Sequence, residues 1–307
     1  MGIIPETQVA TQPGVQTHDL MSFLGGLKTW SHHTKTSLYL LKRDQKKGFD
    51  YLAPQGFYDA CIAYDSPQAV ADLDHVAQSS IRCFPHMAFG IADPIVVNGV
   101  TKQGGPMSPF KATITTSLGH RYLDDLASVD PDCVVIQSTS KMVNNPHLPD
   151  DAASLCFTMA EATDDSYIAA LTFPALRRFT LAMEHFQFVY GWLTSWEKTT
   201  LHILNCPDIP PKSLLLQSIT NVPGSDPWMI TEHEVPVSTN ESNFLRAQVD
   251  DPRTCYLELV DIIDSFSFPA FYFQSPFTLL RKIISQNVIS RCRALLSLQP
   301  ILQDDAI

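Results

Sequence analysis

Two adjacent carboxylates, Asp164 and Asp165, sit between two short apolar runs, Leu155–Ala160 (LCFTMA) and Tyr167–Leu171 (YIAAL). Each run has the length of a buried strand, so the pair reads as the tip of a β-hairpin. Adjacent like charges repel, and a divalent cation between them relieves the repulsion. Carboxylate oxygens are hard ligands that suit Mg²⁺ or Mn²⁺. An isolated Asp pair is also an ordinary solvated turn, because Asp is common in turns. What favours chemistry over a plain turn is the rest of the chain. Asp44 closes a second strand candidate, Ser37–Arg43 (SLYLLKR). The segment Lys102–Pro109 (KQGGPMSP) is a loop whose Gly-Gly-Pro lets a ligand or another backbone approach closely. A strand-end carboxylate, a close-approach loop leading into a helix, and a hairpin Asp pair form the set that two-metal nucleotidyl transfer needs. Asp44 and one Asp of the pair would bridge two Mg²⁺ ions. One ion would activate an attacking 3′-hydroxyl and the other would carry a triphosphate. The protein's own task in such chemistry is placement and charge stabilisation.

Positioning these groups takes a series of elements. Residues 1–16 are polar and Pro-containing and are expected to be disordered. Leu20, Phe23, Leu24, Leu27 and Trp30 recur at helical spacing after a Thr17 or Asp19 cap, and that helix stops near Ser31-His32-His33. The paired histidines read as a solvated helix end rather than a metal site. Ser66-Pro67 opens a helix with Val70, Leu73, Val76 and Ala77 on one face. Ile95–Val97 is a short strand followed by the turn signal Asn98-Gly99. Ser108-Pro109 starts a helix carrying Phe110, Ile114, Leu118 and Leu126. Cys133–Gln137 is a strand and 144–151 a polar loop. A long amphipathic helix runs from about Pro174 to Tyr190, ended by Gly191-Trp192, and Leu201–Leu204 is the next strand. Residues 205–240 hold many prolines and read as loops and short strands. Phe244-Leu245 enters a short element, Arg253–Phe266 reads as a helix, and Phe277–Leu298 is the clearest helix of the C-terminal part, with a basic side.

The chain has 307 residues, 45% hydrophobic and 17% charged, enough for one large domain or two to three subdomains. It has no apolar run of membrane-spanning length and no basic-then-apolar leader pattern. Seven cysteines stand singly with no CxxC or CxxH spacing, which argues against a zinc site and for reduced thiols in an intracellular, non-secreted protein. The formal net charge of −11 argues alone against a nucleic-acid partner. Its distribution points the other way: LKRDQKK at Leu41–Lys47 and the acid-free stretch 276–298, with Arg281, Lys282, Arg291 and Arg293, are locally basic.

RDQKKGFD at Arg43–Asp50, KQGGPMSP at Lys102–Pro109, ATDDSYIAA at Ala162–Ala170 and GWLTSWEKT at Gly191–Thr199 resemble, in that order, motifs A, B, C and D of the reverse transcriptase domain of non-LTR (LINE-like) retrotransposons, fungal copies in particular. The resemblance spans roughly residues 10 to 300. Two other strings compete. Asp59 in DACIAYD also looks like motif A, yet it stands closer to Gln103 than Asp44 does, which leaves less room for the helix and strand the family has between motifs A and B. Asp59 is also expected to precede a helix, whereas Asp44 ends a strand. Tyr122-Leu123-Asp124-Asp125 spells motif C better. It follows soon after Pro109, inside the expected helix, whereas Asp164 lies much farther along the chain, between two strands.

The resemblance implies an α+β fold, a right-hand polymerase palm in which an antiparallel sheet is backed by helices. Partial fingers and the palm would occupy 17–240, and a helical thumb 241–307. It implies Asp44 and Asp164 as catalytic metal ligands for Mg²⁺ or Mn²⁺, with Asp165 a supporting carboxylate of the same catalytic set, and Phe49 under the sugar, excluding a 2′-hydroxyl. Gln103 and Gly104 would approach the incoming nucleotide and template, and Lys198 would face the triphosphate. It implies an RNA template, a DNA primer and dNTP as partners, with the basic C-terminal helix on the nucleic-acid backbone. Phe244-Leu245 would lie near the primer grip. Ala162 departs from the family, which has an aromatic residue there; the family's N-terminal fingers segments are largely missing from these 307 residues, and its endonuclease domain has no counterpart in them. The implied activity is RNA-directed DNA polymerisation, with a catalytically inactive remnant that keeps the fold and binds nucleic acid as the alternative. An unrelated hydrolase using paired carboxylates has no further motif behind it.

Overall fold

The structure is a computed structural model that describes residues 4–5, 7–8, 14–15, 17–46, 48–79, 81–97, 101, 105, 107–139, 152–162, 165–206, 209–220, 229–238, 243–244, 247–248, 252–267 and 275–292. It is α+β, and its chain divides into two compact units: Met1–Gln16 with Ser31–Val237, and Thr17–Trp30 with Ser238–Ile307. Most of the first helix is thus grouped with the C-terminal residues rather than with the strands that follow it.

The larger unit is built on a six-stranded sheet. Its central strand, β1 (Leu38–Asp44), pairs antiparallel with β9 (Asp165–Ala170) on one side and with β10 (Thr200–Leu204) on the other. β8 (Met159–Ala162) lies outside β9. On the far side β10 neighbours β12 (Met229–Ser238), which pairs antiparallel with β11 (Ser213–Thr220). Strand alternation sends Tyr39, Leu41 and Arg43 to one face and Leu40, Lys42 and Asp44 to the other. The first face is covered by α5 (Ser108–Ser128) and α6 (Phe173–Val189), where Leu41, Ile168, Leu201 and Ile203 form one apolar cluster with Leu123, Leu176, Phe179 and Met183. α6 starts at Thr172, whose hydroxyl accepts from the Ala175 amide, with Pro174 in the first turn. α5 and α6 pack closely because Gly119 has no side chain; a Cβ there would meet the Phe186 ring at 2.8 Å.

Between β1 and α5 lie α2 (Gly48–Tyr51), α3 (Pro54–Ala63), α4 (Gln68–Gln78) and the short strands β2 (Ile81–Cys83), β3 (His86–Met87), β4 (Gly90–Ile91) and β5 (Ile95–Val97). α3 packs on α5 through Phe57, Ala60, Cys61 and Ile114. Val70, Leu73 and Val76 do share a face of α4, but that face is exposed; Ala71 is the buried one. β6 (Val134–Thr139) pairs with β7 (Ala152–Phe157) in a separate ribbon. The C-terminal unit holds α1 (Thr17–Thr34) over residues 17–30, the two-residue strands β13 (Asn243–Phe244) and β14 (Ala247–Gln248), α7 (Pro252–Asp264) and α8 (Phe277–Ile284). α8 runs on through a wider π turn, Ser285–Ile289. The expected helical stretch 277–298 is described to residue 292, and Leu245 and Arg293 lie outside the described residues.

Four expectations change. The run LCFTMA is not one strand: it breaks at Thr158, with its first half paired to β6 and its second to β9. Thr158 is buried, and its hydroxyl donates to Asp124. Residues 205–240 hold the long hairpin β11–β12 rather than loops and short strands, because most of their prolines fall outside the paired segments. Asp59 lies within α3 rather than before a helix. The first sixteen residues are not wholly unordered: Gln8 forms a parallel bridge beside Glu161 of β8, and the Glu161 amide donates to Thr7 carbonyl oxygen at 3.0 Å.

Candidate active site

The C-terminal end of β1 is the most heavily fixed point of the sheet. Arg43 points into the α6 layer and is fully buried; its Nη2 donates to Glu184 Oε1 at 2.5 Å, to Thr194 Oγ1 at 2.8 Å, and to Gln187 Oε1. Thr194 Oγ1 in turn donates to Glu184 Oε1 at 2.5 Å. The chain after α6 continues the sheet past the end of β1: Gln45 bridges Thr194, the Ser195 amide donates to Asp44 oxygen at 2.8 Å, and the Lys46 amide donates to Leu193 oxygen at 2.8 Å. One buried arginine thus holds β1, α6 and the 193–195 segment together. A buried cation with an anionic partner and further acceptors is what burial of charge requires.

Asp44 follows Arg43 and therefore faces the other way. It stands directly opposite Asp165, the first residue of β9, in the antiparallel register. Residues opposite one another in such a pair project from the same face, with Cβ atoms about 4.5–5.5 Å apart. Ala162 is Asp165's partner on the other side, so residues 163 and 164 form the link between β8 and β9. The Asp pair, expected as the tip of the hairpin, is therefore split: Asp165 belongs to β9 and pairs with Ala162. Lys198, at the end of a one-turn 3-10 helix (Trp196–Lys198), brings its ammonium to 2.9 Å from Asp44 Oδ2. That turn is fixed from beneath: the Trp196 ring stacks on His233 of β12, centroids 4.5 Å apart and planes within 1°. His233 also shares a hydrogen bond with Ser218 Oγ at 2.7 Å. Burial holds the His233 pKa below its ordinary value, against the opposing pull of the Glu184 charge. Next to the carboxylates on β9, Tyr167 is almost wholly buried, and burial followed by the Asp165 charge pushes its phenol pKa upward.

Of the residues singled out from the sequence, the structure brings Asp44, Asp165 and Lys198 together. Phe49 lies in α2, and its side chain, together with Gln103, Gly104 and Asp164, falls outside the described residues. Asp59 goes to a different task, accepting from Tyr190 Oη at 3.2 Å and Gln55 Nε2 at 2.7 Å. Asp124 is engaged by Thr158. Among the described residues no three His, Cys, Asp or Glu side chains gather as a metal set.

No protein-family model matches the chain, and no curated protein matches its sequence. Among solved structures it is similar to apo telomerase from Candida tropicalis truncated from the C-terminal domain, at 14% identity and a TM-score of 0.45, over 65% of this chain and 37% of that one. It is also similar to telomerase from Candida tropicalis in complex with a TWJ fragment of telomeric RNA, at 13% identity and a TM-score of 0.47, over 92% and 41%. The corresponding complex from Candida albicans gives 12% identity and a TM-score of 0.44, over 94% and 43%. The chain spans well under half the length of the telomerase chains it resembles.

Sequence reading missed the support beneath the site. Glu184 and Gln187 carry no motif, and Thr194 has no role of its own assigned within Gly191–Thr199, yet Glu184 and Gln187 sit on the buried side of α6 beside Met183 and Thr180. A carboxylate and an amide placed on an apolar helix stripe are the signal that a buried cation waits opposite, and Arg43 before Asp44 is that cation. Gly191 and Trp192 complete the support. Gly191 adopts φ +82°, and a Cβ on it would lie 2.5 Å from Tyr51 oxygen, while Trp192 Nε1 donates to Gly48 oxygen at 2.7 Å. The chain leaving α6 is thereby fastened to the chain leaving β1.

Proposed function

We propose that this chain is an RNA-directed DNA polymerase domain of the non-LTR retroelement kind, extending a primer 3′-hydroxyl with dNTP on an RNA template. The observation that carries the reading is the register of β1 and β9, which sets Asp44 opposite Asp165 on the sheet face turned away from α5 and α6. Two hard oxygen donors from adjacent central strands, with a cation already drawn to one of them, fit a divalent metal such as Mg²⁺ or Mn²⁺. Asp44 and Asp165 would hold it, together with Asp164 from the link between β8 and β9. A metal there lowers the pKa of the primer hydroxyl and neutralises charge on the triphosphate.

The chain's own part is placement. The Arg43–Glu184–Thr194 network keeps the end of β1 from shifting, so Asp44 meets its partner in one geometry. Lys198 lies beside the carboxylates and supplies a cation for substrate phosphates. Phe49, in α2 just past the end of β1, would act against the sugar, and the loop with Gln103 and Gly104 leads into α5 toward the template. In these terms the sheet with α5 and α6 serves as palm and the C-terminal helices as thumb. Arg281, Lys282 and Arg291 are exposed on or just after α8 and give the C-terminal unit a basic surface for a nucleic-acid backbone.

Primer extension on an RNA template with Mg²⁺ tests the reading. Wild type should extend, and Asp44→Asn and Asp164→Asn should each lose at least about a hundredfold in rate, as expected when a metal's ligation is spoiled. A second reading, a remnant that binds a template–primer without turnover, is favoured by Ala162 in place of an aromatic residue and by the ion pair that already engages Asp44. Binding of the hybrid by wild type with no extension on any template would select it.

A further inference from the structure

Lys198 Nζ lies 2.9 Å from Asp44 Oδ2, and the two side chains differ sharply in exposure, 66% for the lysine and 17% for the aspartate. The lysine's backbone is fixed, because the Ser195 amide donates to Asp44 oxygen and Trp196 stacks on His233. Only its flexible stem and compact ammonium can move, and they stand in solvent. Across the strand pair Asp165 presents a second carboxylate on the same face, so Asp44, paired with the Lys198 ammonium, also faces a second negative charge.

We propose that Lys198 is a resident counter-ion of Asp44 which a divalent cation must displace, so that this lysine sets the metal affinity of the site and is turned toward substrate phosphates as metal arrives. The proposal rests on the metal-binding reading above. Its basis is repulsion. A cation that binds carboxylate oxygen at about 2.0–2.1 Å would stand close to the ammonium already paired with Asp44, and the two positive charges repel at such separations. Without metal, the ammonium offsets only part of the Asp44–Asp165 repulsion. With metal, that task passes to the ion, and the lysine becomes the nearest positive charge for a triphosphate. The order of events follows: metal first releases the lysine from Asp44, and the lysine then strengthens nucleotide binding.

The test is Mn²⁺ binding to the intact chain without nucleotide, followed by electron paramagnetic resonance of unbound Mn²⁺ and by calorimetry. Lys198→Met should bind Mn²⁺ about two- to fivefold more tightly than wild type, the range that loss of a partly exposed competing ion pair provides. Lys198→Arg should stay near wild type. Lys46→Met, which removes an equal charge two residues from Asp44, should tighten binding less than Lys198→Met. In the background of Asp44→Asn the Lys198→Met gain should vanish. Mn²⁺ should also raise the melting temperature of Lys198→Met by more than that of wild type. Equal affinities for wild type and Lys198→Met, weaker binding by the variant, or an equal gain from Lys46→Met would each overturn the displacement mechanism while leaving the metal site standing. Absence of Mn²⁺ binding by both wild type and Lys198→Met would remove the metal reading and this inference with it.

Discussion

Asp44 and Asp165 face each other across β1 and β9 with no residue between them in the register. Like charges directly opposite in an antiparallel pair destabilise it. The strand ends are held in spite of this by the network one residue earlier, where Arg43 is gripped from α6 and from Thr194.

The opposed carboxylates therefore stand at a cost to folding. Asp165→Asn should raise the unfolding midpoint in EDTA, by about 0.2–1 kcal/mol of stability, the size of a cross-strand pair term. Adding Mn²⁺ should then stabilise wild type but not the variant. Thermal unfolding with and without metal checks both halves, and a lower midpoint for the variant in EDTA would show that the pair is not repulsive.

Breaking the Arg43 network is a different matter. Glu184→Leu leaves a buried guanidinium with its charge uncompensated and should destabilise by about 3–5 kcal/mol. The double variant Arg43→Met/Glu184→Leu removes both charges and should recover much of that loss. Denaturant titration of wild type, the two single variants and the double variant gives the coupling; strict additivity would mean the contact contributes nothing of its own.

His233 gives the fold a pH dependence of known sign. Burial holds its folded pKa below the usual value near 6.5, so the unfolded state binds the extra proton first. The groups facing it are Trp196, Ser218 and Thr231, with Glu184 opposing the shift. Its contribution is complete above about pH 6.5 and is lost as pH falls below that value toward the folded pKa. Between pH 7.5 and 5.5 wild type should lose more stability than His233→Phe. Equal slopes in chemical unfolding at the two pH values would refute the assignment.

Thiol reactivity should follow burial. Cys133 is buried, and burial, then the Cys156 thiol, pushes its pKa well above the ordinary thiol value. Cys83 is exposed. At pH 8 an alkylating reagent should modify Cys83 within minutes, whereas Cys133 should react only on unfolding. Peptide mapping of a time course reads this directly.

The strand ending at Asp44 was legible as a short apolar run, Leu38–Leu41, closed by charged residues, and the helix after the Asp pair by the helical recurrence of Leu176, Phe179, Thr180, Met183 and Gln187. Choosing Asp164-Asp165 over Asp124-Asp125 depended on spacing, and the structure puts Asp124 and Asp125 within α5, as expected for them. What escaped was non-local. Thr158 reads as the middle of one apolar run until β6 and β9 are seen to claim its two halves separately. The β11–β12 hairpin was hidden because Glu232 and Glu234 alternate with Thr231, His233 and Val235, a polar strand whose outer face is solvated beside Pro236. The seat of Thr7 and Gln8 against β8, which comes only midway along the chain, leaves no local trace at all.

The position of β1 has a consequence for how the chain is made. Leu38 at its start pairs with Leu204, far downstream, and Tyr39 with Ala170 on the other side. During synthesis this strand, with its apolar run Leu38–Leu41, leaves the ribosome with neither neighbour yet translated. At about 5–20 residues per second it stays uncovered for about ten to thirty seconds. Such a strand is a natural client for a chaperone that binds short apolar segments. Efficient production of the protein in a foreign host should depend on that protection more than on the final stability of the sheet.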